Sequence, residues 1–294
     1  MTFLDVLLSF VIPAIVGVGI GMLSGLLGIG GGVVMVPTFR LAFGMSAVAS
    51  TATSLFAIVP TSISGAVSHI RQKTCIPALG VACGIGGALT SPLGVWLGTI
   101  SPGWLIMVVA AVIIGWSAVS MISKAVKMKP ASAQPAAAGE VAAAAAPAEP
   151  QPVAAAPAGP AEDERFPKLS AKQLLTGVCI GAIAGVASGY VGVGGGFIMV
   201  PLMLSLVHID MSKASGTSLI AVMILAIPGV IEQAIFGNIA YLAGIAIVIG
   251  SIPGAVLGAK LVKVVPERTL RFVFGIFLLI AAVLLAVNEL GLLG

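Results

Sequence analysis

Two glycine clusters are the residues of this chain best suited to close contact between backbone and ligand. Residues 28–32 read GIGGG and residues 192–196 read GVGGG, without the dinucleotide-binding pattern or a phosphate-loop lysine. Glycine lets the backbone approach a ligand closely, and a helix that begins there adds the positive end of its dipole. We therefore predict an anion site at these backbone N–H groups, on Gly30, Gly31, Gly32, Gly194, Gly195 and Gly196. The alternative is that they only pack helices together.

Hydroxyl side chains form the second candidate set. On a helix, Ser50, Thr53 and Ser54 share one face, and Thr217 and Ser218 repeat part of that pattern later in the chain. Hydroxyl donors suit an oxyanion and carry no fixed charge that would trap it. Ser24 and Ser188, which lie shortly before the glycine clusters, join the predicted substrate site. The alternative is that these hydroxyls bond carbonyls of their own helices.

A few polar residues lie within or near apolar segments. Arg40 is a candidate charge partner for an anion, or a side chain that reaches the membrane interface. Glu232 and Gln233 end an apolar segment, where Gln233 could contact the substrate and Glu232 could act as a second charge partner. Ser68 and His69 occupy the matching positions of the first half, and these side chains could coordinate a proton or the substrate. The alternative places all of these in interfacial loops.

Composition excludes an ordinary soluble enzyme or nucleic-acid-binding domain. Of the 294 residues, 59% are hydrophobic and 8% are charged, and the mean hydropathy is +1.18. A soluble domain carries roughly 25% charged residues. No hydrolytic motif is present, and three cysteines and two histidines do not favour a disulfide framework or a metal site. We expect a polytopic membrane protein that is not an enzyme and has no metal or cofactor.

The two halves of the chain are copies of each other. At a constant offset of 164, residues 17–37 align with residues 181–201, and eleven of those 21 positions are identical. The same register continues without a gap to Pro102 and Pro266. Each copy contains about five apolar segments, of which the second has only 12 residues and follows the glycine cluster. We predict an all-α fold with short, broken or re-entrant helices at that point.

The domain boundaries follow from composition. Residues 1–124 form the first predicted membrane repeat and residues 169–294 the second. Residues 125–168 are rich in alanine and proline and lack large apolar side chains, so they predict a linker rather than a core.

Lysine and arginine positions predict the orientation. The linker is flanked by lysines, which predicts that it is cytoplasmic. Residues 260–271 are basic, whereas the matching loop at residues 99–103 is uncharged. The opposite holds for the loop of Arg71 and Lys73 and its counterpart at residues 236–240. This reversal is typical of inverted-topology repeats and places both termini outside the cytoplasm.

The motif GxGGGxxxVP, present as GIGGGVVMVP at 28–37 and GVGGGFIMVP at 192–201, each followed by a Thr-Ser segment, resembles the TauE/SafE family of sulfite exporters and sulfonate permeases. The resemblance covers nearly the whole chain except the linker. It implies a bacterial or archaeal inner-membrane transporter whose substrates are sulfite, sulfonates or related sulfur-containing anions.

We expect a secondary transporter that works by alternating access between the two halves. A passive anion channel and a membrane thiol or redox-linked sulfur carrier are the alternatives. The expected partners are a small anionic substrate and the lipid bilayer, with no nucleic acid. Whether the protein forms a homo-oligomer stays open.

Overall fold

A computed structural model describes residues 10–127 and 170–289, and over these ranges the chain is helical without strands. Seven of the described helices are long and apolar enough to cross a membrane, which confirms the predicted all-α, polytopic fold. In chain order the helices are α1 Ile12–Leu27, α2 Gly32–Pro37, α3 Ala47–Arg71, α4 Pro77–Ile100, α5 Gly103–Lys127, α6 Ala171–Val191, α7 Gly196–Leu202, α8 Met211–Ile235, α9 Tyr241–Leu261 and α10 Glu267–Glu289.

The two short helices lie where short segments were predicted. Both α2 and α7 contain a proline, Pro37 and Pro201, and each continues into one wide π-helical stretch, Thr38–Ala42 and Met203–Val207. A proline has no N–H and cannot extend the regular hydrogen-bond ladder. The chain therefore widens at this point and then leaves the helix, which keeps both segments too short to span a bilayer.

The helix ends follow local sequence signals. α1 and α6 stop at Gly28 and Gly192, which adopt the left-handed conformation with φ of 75° and 73°. Ser46 accepts a hydrogen bond from the N–H of Ala49 at the start of α3. Ser170 and Gln173 form a reciprocal capping box at the start of α6.

Helices from the two halves pack against each other through glycine seams. α1 lies against α9, because Gly17, Gly21 and Gly25 face residues 247–259 in increasing order. α4 lies against α6 in the same way, with residues 86–98 facing 178–190. Partners that increase together run parallel. Small residues here let the backbones approach closely.

The remaining pairs complete the bundle. α3 crosses α8, while α5 packs against α10. Side chains join the ends of several helices on the side where α5 ends and α6 begins, which we call the linker side. There Arg268 donates to the carbonyl of Ala125, and Glu267 accepts from the N–H of Met211.

The first residues of the predicted linker continue α5. The linker was predicted to begin at residue 125, whereas α5 ends at Lys127 and Ala125 is fully buried. The division into two repeats and a linker stays a prediction. The rest of the predicted linker and both chain termini lie outside the described residues. The inverted arrangement of the repeats stays a prediction at this point.

Two glycines of α1 offer a matched test of the seam. A methyl group added to Gly21 would lie 2.1 Å from the carbonyl oxygen of Ser251, whereas at Gly19 it would meet nothing within 4 Å. We expect Gly21→Ala to destabilise the protein by about 1–3 kcal/mol or more through overpacking. Gly19→Ala should be neutral or stabilising by up to about 1 kcal/mol, since alanine favours helix. Thermal unfolding of the purified protein in detergent measures both, and equal melting temperatures for the two variants would contradict the seam.

Candidate functional site

The two glycine clusters meet in the interior of the bundle. We call residues 28–32 the first glycine turn and residues 192–196 the second glycine turn. A methyl group on Gly32 would lie 2.4 Å from the carbonyl oxygen of Val193, and one on Gly196 would lie 2.4 Å from that of Gly28. All ten residues of the two turns are buried. The structure therefore brings together the two clusters that the sequence analysis singled out.

Their backbone conformation requires glycine. Gly30 and Gly31 have φ of 73° and 86°, and Gly194 and Gly195 have φ of 86° and 71°. This left-handed region is costly for residues with a side chain. Within the described chain, the N–H groups of these four glycines donate no hydrogen bond to protein, whereas the N–H of Gly196 bonds to the carbonyl of Gly194 at 2.9 Å. Buried donors of this kind are available to a ligand.

The surroundings of the two turns match at the 164-residue offset. Gly28 packs on Ser215, and Gly192 packs on Thr51, which is the position that corresponds to Ser215. Gly30 and Gly194 both lie against Ile58 and Val222, one residue from each half. The site is thus built equally by α3 and α8, which cross at the glycine turns.

Four of the five predicted serines are buried and have hydroxyls without a hydrogen-bond partner among the described residues. Ser24 and Ser188 are fully buried one turn before the glycines, where their carbonyls accept from Gly28 and Gly192 at 2.8 and 2.7 Å. Their hydroxyl oxygens have no hydrogen-bond partner among the described residues, and the same is true of Ser50 and Ser54 on α3. These hydroxyls are buried polar groups that only a ligand or water could satisfy.

Ser218 differs from its counterpart Ser54. Its hydroxyl oxygen lies 2.6 Å from the carbonyl oxygen of Gly28 and 2.8 Å from that of Ser215. Ser218 therefore ties α8 to the first glycine turn. Ser54 makes no such bond. At this matching position, the hydroxyl is therefore hydrogen-bonded in the second half and has no partner among the described residues in the first half.

Thr53 and Thr217 lie elsewhere. The hydroxyl oxygen of Thr53 accepts a hydrogen bond from the N–H of Ala240 at 3.0 Å, and that of Thr217 accepts from the N–H of Ile76 at 2.9 Å. Ala240 and Ile76 immediately precede α9 and α4, where backbone N–H groups lack helical acceptors. The structure therefore gives these two threonines a capping position, and does not bring them to the glycine turns.

The predicted charge partners also lie away from the turns. Arg40 is half-buried and donates to the carbonyl of Met45 at 3.0 Å, next to the end of the π-helical stretch after α2. Gln233 accepts a hydrogen bond from the side-chain amide of Asn238 at 2.8 Å, near the end of α8. Its neighbour Glu232 has one buried carboxylate oxygen that finds no partner in the described part of the chain.

Ser62 is a residue that the sequence reasoning missed. It is fully buried, its hydroxyl has no partner among the described residues, and that hydroxyl lies 3.2 Å from where a methyl group on Gly30 would be. The matching residue in the second half is Ala226, so comparison of the two halves did not identify Ser62. The signal that could have found it is helical spacing, because Ser54, Ile58 and Ser62 follow each other at four-residue steps.

The close contact between the turns leads to a matched prediction. Gly32→Ala should abolish transport, because the new methyl group would push the second glycine turn away. Gly44→Ala is the control: nothing lies within 4 Å of a methyl group added to Gly44, although its φ is positive at 63° and that of Gly32 is not. It should cost about 1–2 kcal/mol and leave transport intact. Uptake assays on both variants at equal membrane levels decide, and full activity of Gly32→Ala would contradict the contact.

Comparisons with known proteins agree with this architecture. The family profile described as Sulfite exporter TauE/SafE matches residues 13–285. Two Bacillus subtilis proteins are similar over most of their length. The probable membrane transporter protein YunE is 25% identical over 286 residues, covering 93% of this chain and 96% of YunE. The probable membrane transporter protein YdhB is 24% identical over 253 residues, covering 86% and 90%.

No solved structure matches the chain. The family match spans both membrane halves and both glycine turns, well over half of the sequence. The chain therefore belongs to the TauE/SafE sulfite exporter family of membrane transporters.

Proposed function

We propose that the protein is a secondary carrier of a small sulfur-containing oxyanion or sulfonate, which it binds between the two glycine turns. The observation that carries this proposal is a buried set of neutral donors without protein partners. Three fully buried hydroxyls, those of Ser24, Ser62 and Ser188, accompany the free N–H groups of the turns. A buried polar group without a hydrogen bond is costly, and an oxyanion would satisfy several of these donors at once.

The chemistry of the donors also suits release. Arg40, the nearest predicted cation in sequence, donates to the carbonyl of Met45. Hydroxyl and backbone donors bind an anion without a permanent counter-charge, so the anion can leave to either side. The proposal that the substrate contains sulfur rests on the family, whose profile is described as a sulfite exporter.

We also infer that the two halves are inserted in opposite senses and that the linker side is cytoplasmic. The support is the parallel packing of α1 with α9 and of α4 with α6, since the first helix of each half pairs with the fourth of the other. The basic residues Lys73 and Lys263 fall on the linker side, as cytoplasmic loops require. The inner membrane of a bacterium or archaeon is the expected location, with both termini outside.

Alternating access follows from this arrangement. The glycine turns touch each other at the centre, so the observed state is closed around the site. Rocking one half against the other would separate the turns and open the site to one side at a time. A passive channel would need a continuous open path instead. For the thiol alternative, burial raises the pKa of the Cys75 thiol to about 11, so this cysteine is protonated at neutral pH.

Counterflow in proteoliposomes tests the carrier. Vesicles loaded with unlabelled anion should take up labelled anion against its gradient, because a carrier exchanges substrates one for one. The panel is sulfite, thiosulfate, sulfate, taurine and isethionate. Flux that does not saturate and shows no counterflow would indicate a channel, while absence of exchange with every anion would overturn the proposal.

Serine variants locate the site in the same assay. Ser24→Ala, Ser62→Ala and Ser188→Ala should each raise the half-saturation concentration about ten-fold or more, since a hydrogen bond to a charged group contributes about 1.5–3 kcal/mol. Stability should not change, because these hydroxyls bond to nothing in the described structure. Ser117→Ala is the matched control: it is equally buried and unpartnered, but lies on α5. Equal effects of all four substitutions would contradict the assigned site.

The opposite insertion predicts the sidedness of two matched positions. Ile100 and Val264 are 164 residues apart, are exposed, and each lies at the end of the fourth helix of its half or just after it. In a background with the three native cysteines changed to alanine, Ile100→Cys and Val264→Cys should react with an impermeant thiol reagent from opposite sides of the membrane. Val264→Cys should be labelled from the cytoplasm. Reaction of both from the same side would rule out the inverted arrangement.

A further inference from the structure

His69 lies fully buried at the end of α3, on the linker side. Its Nε2 atom is 2.8 Å from the carbonyl oxygen of Gly25 on α1, and its Nδ1 atom is 2.7 Å from the hydroxyl oxygen of Thr74. The ring also packs under Gly216 of α8, where an added methyl group would lie 2.8 Å from the ring. The imidazole therefore links α3 to α1, α8 and the loop after α3 on the linker side.

The same position in the other half carries a residue that cannot titrate. Gln233 bonds to Asn238, five residues later, as His69 bonds to Thr74. Backbone bonds repeat the match, since Thr74 donates to the carbonyl of His69 at 3.0 Å and Asn238 donates to that of Gln233 at 3.1 Å. One geometry thus exists twice, and within this pair only the copy on the linker side can gain a proton.

The hydrogen bonds around His69 accommodate both protonation states. The carbonyl of Gly25 can only accept, so Nε2 carries a hydrogen. In the neutral ring Nδ1 accepts from the Thr74 hydroxyl. That hydroxyl oxygen also lies 3.4 Å from the carbonyl oxygen of His69. If the hydroxyl hydrogen turns to this carbonyl, its oxygen can accept from a protonated Nδ1, with no movement of heavy atoms.

Among the described residues, no acidic side chain bonds to the imidazole. α1 carries no charged residue between Ile12 and Leu27. On α8 the nearest charges are Lys213 and Asp210, which pair with each other at 3.6 Å, and Glu232 is at the far end of the helix. The other titratable or charged groups on the elements around the ring are the cations Arg71, Lys73 and Lys260 and the buried thiol of Cys75. The carboxylate of Glu267, which accepts from the N–H of Met211 at the start of α8, is paired with Arg271.

The anion of the proposed site would supply a negative charge. Gly25 is three residues before Gly28, about 4.5 Å along the axis of α1. Ser215, adjacent to the Gly216 that covers the imidazole, packs on Gly28. An anion at the glycine turns would therefore favour the charged imidazole, and by linkage the proton would favour anion binding.

We propose that His69 is a proton-binding site that takes up a proton together with the anion. This joint uptake couples transport to protons on the linker side of the site. This inference rests on the proposed carrier function. The two sides of the site then differ chemically, because the matching Gln233 bonds to Asn238 but does not titrate.

Nuclear magnetic resonance of the imidazole nitrogens tests the proton site directly. The chain has only two histidines, so the full-length His208→Gln variant labelled with ¹⁵N-histidine reports His69 alone. We expect the His69 nitrogens to change from neutral to cationic shifts between pH 8 and pH 5 in the presence of isethionate. In the otherwise unmodified protein, the exposed His208 provides a second signal for comparison. A ring that stays neutral at every pH, with and without isethionate, would overturn the proposal, and titration that isethionate does not alter would overturn the joint uptake.

Transport measurements test the coupling. Isethionate remains a monoanion over this pH range, so any pH dependence belongs to the protein. A pH gradient should drive its accumulation in proteoliposomes at least several-fold, His69→Gln should remove this stimulation, and His208→Gln should retain it. Stimulation that survives in His69→Gln would contradict the proposal. If the unmodified protein exchanges none of the five anions, the carrier function fails, while the resonance experiment still decides whether His69 binds a proton.

Discussion

The hydrocarbon interior of a membrane offers no water to the backbone, so every peptide group inside it must find a partner within the protein. Regular helices meet this requirement alone, but a chain that stops and turns at glycines does not. In this protein the two glycine turns lie against each other and are covered by α3 and α8. Unwound backbone in one half is thus tolerated because the same unwound backbone of the other half shields it from lipid.

The glycine seams serve the same requirement at longer range. For α3 and α8 to cover the turns, α1 must approach α9, and α4 must approach α6, without bulky side chains between them. Backbone contacts along α1 and α9 and along α4 and α6 give that approach, with glycines contributed from both sides of each pair. Large apolar side chains such as Leu89 and Ile235 are left on the outside, 77% exposed in both cases, where lipid can solvate them.

The repeat made much of the fold predictable. A constant offset identified the second short segment from the first, and two prolines explained why both remained short. Residues whose roles depend on the partner half were harder. Thr53 and Thr217 recur in both copies, which suggested a shared ligand, yet each bonds to the backbone at the start of a helix in the opposite half. Recurrence alone cannot separate a repeated structural role from a repeated chemical one.

The positions where the copies differ carry the information that recurrence lacks. Ser218 bonds to Gly28, while Ser54 is left free; Ser62 faces a glycine turn, while its counterpart is Ala226. The two halves therefore share a backbone frame but present different side chains to the glycine turns, so the two sides of the site are chemically different.

Lys124 shows how far such divergence extends. Its ammonium group donates to the carbonyl of Pro201 in α7 at 3.3 Å and to the hydroxyl of Ser205 in the π-helical stretch that follows α7. The first half has Leu41 where the second has Ser205, so the π-helical stretch after α2 has no hydroxyl at that position. One re-entrant segment is therefore attached to α5 by a charged hydrogen bond that its counterpart cannot form in the same way. The two π-helical stretches are therefore held differently, although they occupy matching positions in the repeat.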